Sequence, residues 1–208
     1  MIDHATLATY VLIVLGFVFI PGPATLLTVA RATTSGTKVG IATGAGIAAG
    51  DLVHTAMAIV GLSAVIATSA LLFSLIKYAG AAYLVYLGIR AILERTPLDL
   101  AAGRAPISAP HAFRQAILVE VLNPKTALFF LAFLPQFVTP QAGAVALQLT
   151  VLGVVFVALG LFSTVVVALA AGGIGRMVRR HRAVLRWQGK VVGVIYCALG
   201  ARLAVMER

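Results

Sequence analysis

Long apolar runs with cations gathered between them constrain this chain more than any other feature. A helix needs about 20 apolar residues to cross a hydrocarbon core about 30 Å thick. Six stretches are long enough: 5–30, 40–66, 70–93, 112–137, 145–172 and 185–206. The chain is 61% hydrophobic and only 11% charged over 208 residues, so few polar side chains remain to cover a water-soluble surface. These features specify an all-α integral membrane protein with six transmembrane helices, or five if the weak break at Thr68 and Ser69 is not a hairpin. A net charge of +10 would suggest a polyanionic partner in a soluble chain, but here the cations lie between apolar runs rather than along a presented helix. Nucleic acid is therefore not an expected partner.

Short loops rich in Lys and Arg stay in the cytoplasm. The loop after the first run carries Arg31 and Lys38, and that after the third carries Arg90, Arg95, Arg104 and Arg114. The loop after the fifth carries Arg176, Arg179, Arg180, Arg182, Arg186 and Lys190. The Thr68–Ser69 hairpin and the connection from Pro135 to Gly143 carry none, which predicts both termini outside. The basic cluster from Arg176 to Lys190 reads as a topology determinant at the lipid headgroups. The first run has no basic leader or small-residue cleavage site, so it is expected to remain in the mature protein.

Two apolar runs are interrupted by proline, at Pro21-Gly22-Pro23 in the first and Asn123-Pro124-Lys125 in the fourth. Proline removes a helical hydrogen bond and clashes with the carbonyl four residues back, so each motif frees backbone polar groups at membrane depth. Lipid cannot satisfy such groups, and they persist only against protein or beside a wet cavity. The two motifs also align a proline, a threonine and a leucine, and Leu87-Gly88-Ile89-Arg90 resembles Leu199-Gly200-Ala201-Arg202. Three spans repeated once must re-enter the membrane from the opposite side, so the expected architecture is two inverted three-helix repeats. They form a single transmembrane domain over 1–208: repeat one at about 1–95, a connector at about 96–111 and repeat two at about 112–208. Transporters of this design bind substrate at the repeat interface.

Ionisable groups within spans are costly and face the bundle interior. Asp51, Lys77, Glu120 and Lys125 are the candidates. Pro124 leaves the Glu120 carbonyl without its helical donor, and Asn123 can cap the half-helix that follows. Lys125 adds a full positive charge there, so Asn123, Pro124 and Lys125 suit a carboxylate, or Lys125 pairs internally with Glu120 or Asp51. Pro21 and Pro23 free the carbonyls of Phe17 and Phe19, while Gly22 allows close backbone approach to a solute; the segment lines a cavity, acts as a hinge, or both. Asp51 or Glu120 is suited to a substrate ammonium or a coupling proton. Asp51 with His54 three residues later is a weak metal pattern, and no metal or cofactor is expected. Lys77 reads as snorkelling to the interface. Gly40, Gly44, Gly46 and Gly50 give small-residue spacings for close helix contact. Cys197 stands alone, which excludes an intramolecular disulfide. Phosphate-loop, nucleophile-elbow and zinc-protease motifs are missing from the sequence, which does not read as an enzyme.

Taken together, Pro21-Gly22-Pro23, Gly46 and Gly50-Asp51 with His54, Lys77-Tyr78 through Gly88, and Leu122-Asn123-Pro124-Lys125 followed by Leu134-Pro135-Gln136-Phe137 resemble the lysine exporter and threonine/homoserine exporter (LysE/RhtB) family of bacterial amino-acid efflux proteins. The resemblance implies a secondary transporter of the bacterial inner membrane that exports amino acids or close derivatives, driven by proton antiport. It leaves the choice of amino acid and homo-oligomerisation open. A passive facilitator and a metal-cation exporter are the alternative classes.

Overall fold

The computed structural model describes residues 2–62, 70–93, 106–180 and 182–205. The expected Thr68–Ser69 hairpin, Arg95, Arg104 and most of the 96–111 connector lie outside the described residues. Every regular element is helical, and no strand occurs among the described residues.

Helix α1 (His4–Phe19) begins at Asp3, whose carboxylate accepts from the Thr6 amide at 2.9 Å and the Thr6 hydroxyl at 2.6 Å, a side-chain N-cap. It stops ahead of Pro21, and α2 (Pro23–Ser35) restarts with proline at its first position, where a missing N–H costs nothing. Gly36, at φ 93°, turns the chain into α3 (Thr37–Met57), which runs on as a π-helical turn over Ala58–Leu62. Helix α4 covers Ala70–Leu93 and α5 covers Ala109–Val121. Helix α6 (Pro124–Leu128) restarts after the second break and continues through a π turn at Phe129–Phe133 and a 3₁₀ turn at Leu134–Phe137. A short 3₁₀ turn at Pro140–Ala142 leads into α7 (Val145–Arg180), and α8 (Arg182–Val205) closes the described chain.

Two stretches, Thr37–Gly61 and Val145–Ala171, are long and apolar enough to cross a membrane unaided. Two more qualify as bent pairs: α1 with α2 at 52°, and α5 with Pro124–Phe137 at 45°. Both bends sit at the prolines singled out from sequence. The protein is thus an all-α multi-pass membrane protein with two to four candidate spans among the described residues, and α8 contributes a shorter apolar stretch, Gly193–Val205. Leu12, Val60, Leu122 and Leu169 point outward, a surface suited to lipid rather than water.

The basic residues differ in one respect from the sequence reading. Arg31 is not in a loop: α2 extends to Ser35, and the Arg31 side chain is buried with its guanidinium donating to Gln115 Oε1 of α5 at 2.7 Å. The segment around Arg176–Lys190 is likewise helix on either side of residue 181.

Helix α3 is central because its glycines admit neighbours on two faces. A Cβ at Gly44 would meet the Thr164 hydroxyl of α7 at 2.6 Å, and one at Gly50 would meet Glu120 Cβ of α5 at 2.6 Å. Helices α4 and α8 also pack closely, with Gly200 against the Ala81 carbonyl and Gly88 against Cys197. An apolar core of Tyr10, Phe17, Phe129, Phe130, Phe133, Phe137 and Phe156 fills the space between α1, α6 and α7. Tyr10 is fixed within it by donating to the Leu152 carbonyl at 3.0 Å.

Candidate functional site

The α5/α6 break repairs its backbone from two directions. With no N–H on Pro124, the Glu120 carbonyl accepts instead from the Asn123 amide at 2.9 Å and meets His54 Nε2 of α3 at 3.0 Å. The His54 ring lies stacked on Phe130, centroids 5.7 Å apart, so this histidine is a strut between α3 and α6. Asn123 caps α6 as the sequence suggested: its Oδ1 accepts from the Lys125 amide at 3.1 Å. The same side chain turns its amide toward the Glu120 carboxylate, donating to its two oxygens at 3.1 and 3.2 Å. The Thr126 hydroxyl donates to Glu120 Oε1 at 2.5 Å. Glu120, only 1% exposed, is therefore held by donors from the helix that follows its own break.

Asp51 is 2% exposed, and its Oδ1 is buried with no hydrogen-bond partner. Its side chain lines the same cavity as Glu120. Adjacent Gly50 contributes to this, since only a missing Cβ lets the Glu120 stem lie against α3. Gly160 of α7 leaves room on the far side, where a Cβ would stand 3.3 Å from Asp51 Oδ2.

Lys125 crosses to the other break. Its ammonium donates to the carbonyls of Phe17 and Ile20, each at 2.9 Å, and sits 4.3 Å from the centre of the Phe17 ring. These carbonyls lie at the end of α1, where Pro21 removes the helical donor of Phe17, leaving it only the Ile20 amide at 3.3 Å, and the helix dipole is negative. The Ser163 hydroxyl of α7 covers a third freed carbonyl, that of Val18, at 3.2 Å. Tyr196 of α8 closes the far side, its ring centre 5.9 Å from the same ammonium.

Both breaks line one cavity of about 40 Å³, with walls that include Gly22, Thr25, Asp51, Glu120, Asn123 and Lys125. That space holds a few water molecules, whereas sites for small organic ligands run to about 300 Å³ or more. Ala24 and Thr25, in the first turn of α2, also line it. The first helical bond of α2 runs from Leu26 to Gly22, so the amides of Ala24 and Thr25 lack partners within the helix. The cavity wall thus combines two carboxyl groups, one ammonium and a helix N-terminus, with Val18, Ile47 and Phe156 supplying apolar surface. Pro21, Pro23 and Pro124 act by creating the breaks. Lys77 sits on α4 beside Tyr78, 4.6 Å from that ring.

The family model for LysE type translocators matches residues 15–207, nearly the whole chain. The chain belongs to this family. A membrane protein of Vibrio cholerae is 32% identical to this translocator over 98% of each chain. One of Pseudomonas aeruginosa is 29% identical, covering 94% of this chain and 93% of its own length. A protein of Klebsiella pneumoniae named leucine efflux protein is 25% identical over 96% of this chain and 94% of its own. No solved structure gives a significant match. Family membership makes the protein a translocator of the membrane.

Sequence reasoning missed Thr126 and Tyr196. Thr126 had a signal: it stands three residues after Asn123, where an N-terminal helical turn brings side chains together. Tyr196 lies in a run whose residue types carry no comparable mark, and its place opposite Lys125 follows only from how α8 packs.

Proposed function

We propose that the translocator exports amino acids across the bacterial inner membrane by proton antiport, through the cavity between the two broken spans. The observation that carries this reading is a buried Asp51 carboxyl oxygen without a partner, in a wall that also presents an ammonium and free helix amides. A zwitterion is complementary to that wall: its ammonium goes to Asp51 and Glu120, its carboxylate to Lys125 and the start of α2. The proton rides on Asp51. Asn123 and Thr126 aim their donors at Glu120, which suits a carboxylate, whereas Asp51, lining the same cavity with its Oδ1 unpartnered, suits a neutral acid. Holding that proton and holding an ammonium are alternatives at the same carboxyl, so release of one accompanies capture of the other and the exchange is obligatory.

The two bends of 52° and 45° at corresponding prolines support six spans in two inverted repeats forming one domain, and the cation-poor connection from Pro135 to Gly143 supports both termini outside. The 40 Å³ volume is then that of a closed form that must widen to admit its cargo. The test is efflux from cells overproducing the protein and loaded with a panel of amino acids headed by leucine, after the named relative. Faster loss of one or a few amino acids, reduced when the proton gradient is collapsed, supports the reading; unchanged loss of all of them overturns it.

A further inference from the structure

Lys125 occupies an electrostatically odd position. It lies in the first turn of α6, where the helix dipole disfavours a cation, yet its ammonium is placed at the end of α1, where the dipole favours one. The side chain therefore does little for its own helix and instead ties the two broken spans together. Gly22 makes the crossing feasible. A Cβ at this position would stand 3.3 Å from Lys125 Cδ and 3.5 Å from its Nζ, so the lysine stem would have to shift by a few tenths of an ångström from its seat. The Gly22 backbone, at φ −141° and ψ −170°, is an extended conformation open to any residue. What glycine supplies here is space beside the lysine rather than backbone freedom.

We infer that Lys125 is a latch seated by Gly22: in this closed form it holds the end of α1 to α6, and the carboxylate of an arriving substrate draws it off the Phe17 and Ile20 carbonyls, freeing the bend at Pro21-Gly22-Pro23. An ammonium has three donors, and the two carbonyls account for two of them. A carboxylate in the cavity offers a charged acceptor in place of neutral ones, and charge-assisted bonds are the stronger. Once Lys125 turns away, the Ile20 carbonyl loses its donor and the Phe17 carbonyl keeps only the Ile20 amide at 3.3 Å, so both favour water entering the widened cavity. Binding and opening are then one event. The trigger rests on the transport reading above, while the latch itself does not.

Thiol labelling separates the two. A cysteine placed at Ile47, which is buried and lines the cavity, reports opening to a hydrophilic maleimide in purified full-length protein carrying Cys197→Ala. Without any amino acid, Lys125→Met is expected to speed labelling about tenfold or more, the factor set by one charge-assisted hydrogen bond. Gly22→Ala is expected to speed it too, and to add nothing in the Lys125→Met background, because its effect passes through the lysine. Labelling of Lys125→Met at the parental rate overturns the latch, as does an undiminished effect of Gly22→Ala in its absence. Added L-leucine is expected to speed labelling of the parent while isopentylamine, the same molecule without its carboxylate, does not. Equal effects of the two overturn the carboxylate trigger, while the labelling rates without amino acid test the latch whatever cargo the efflux panel identifies.

Discussion

Replacing Asn123 by Asp changes one NH₂ to an oxygen and keeps everything else nearly in place. The cap survives, because the remaining oxygen still accepts from the Lys125 amide. What changes is the face turned to Glu120, where the amide now donates at 3.1 and 3.2 Å. Two unit charges 3.1 Å apart at an effective dielectric constant of 20 repel by about 5 kcal/mol. Asn123→Ala loses the cap, worth about 1 kcal/mol, and leaves Glu120 short of a donor, about 1–3 kcal/mol more. The isosteric variant should therefore be the worse of the two. The assay is the apparent melting temperature in detergent, followed by fluorescence-detected size exclusion, at several pH values. Asn123→Asp is expected to melt below Asn123→Ala at neutral pH, with the gap narrowing in acid as a carboxylate is neutralised. Adding Glu120→Gln, which removes the second charge, is expected to restore Asn123→Asp above the single variant. An Asn123→Asp protein as stable as the parent would refute the placement of a charged Glu120 beside this amide.

Other substitutions test neighbouring contacts. Gly50→Ala places a methyl 2.6 Å from Glu120 Cβ and 3.2 Å from the Ile117 carbonyl, so overpacking of about 1–3 kcal/mol should lower the melting temperature and, by separating Asp51 from Glu120, impair efflux. His54→Phe keeps the ring against Phe130 but removes one of the two partners of the Glu120 carbonyl; a loss of about 1 kcal/mol is expected by the same melting assay. Tyr10→Phe removes only the bond to the Leu152 carbonyl and should cost about 1 kcal/mol without changing the rate of export per folded molecule.

The breaks were legible in the sequence because proline has a single mechanical consequence inside an apolar run, and both bends fall where it was read. The freed Phe17 and Glu120 carbonyls were legible for the same reason. Their partners were not. That Lys125 reaches the end of α1 rather than a carboxylate, and that His54 serves the Glu120 carbonyl, depends on the rotation and approach of helices distant in sequence. Gly50 beside Asp51 read correctly as a packing residue, but its effect of drawing Glu120 alongside needed the α3–α5 register. Arg31 misled because a cation just past an apolar run looks like a loop residue, and only tertiary structure shows it buried against Gln115.

The central claim is that a proton crosses by way of Asp51 as an amino acid crosses the other way. Purified protein in liposomes containing a pH-sensitive dye, driven by a gradient of the amino acid the efflux panel selects, tests it directly. The parent is expected to shift the internal pH as substrate moves, and Asp51→Asn, inserted and folded to the same extent, to give no shift. Substrate movement and a pH change at parental rates in Asp51→Asn would contradict the account.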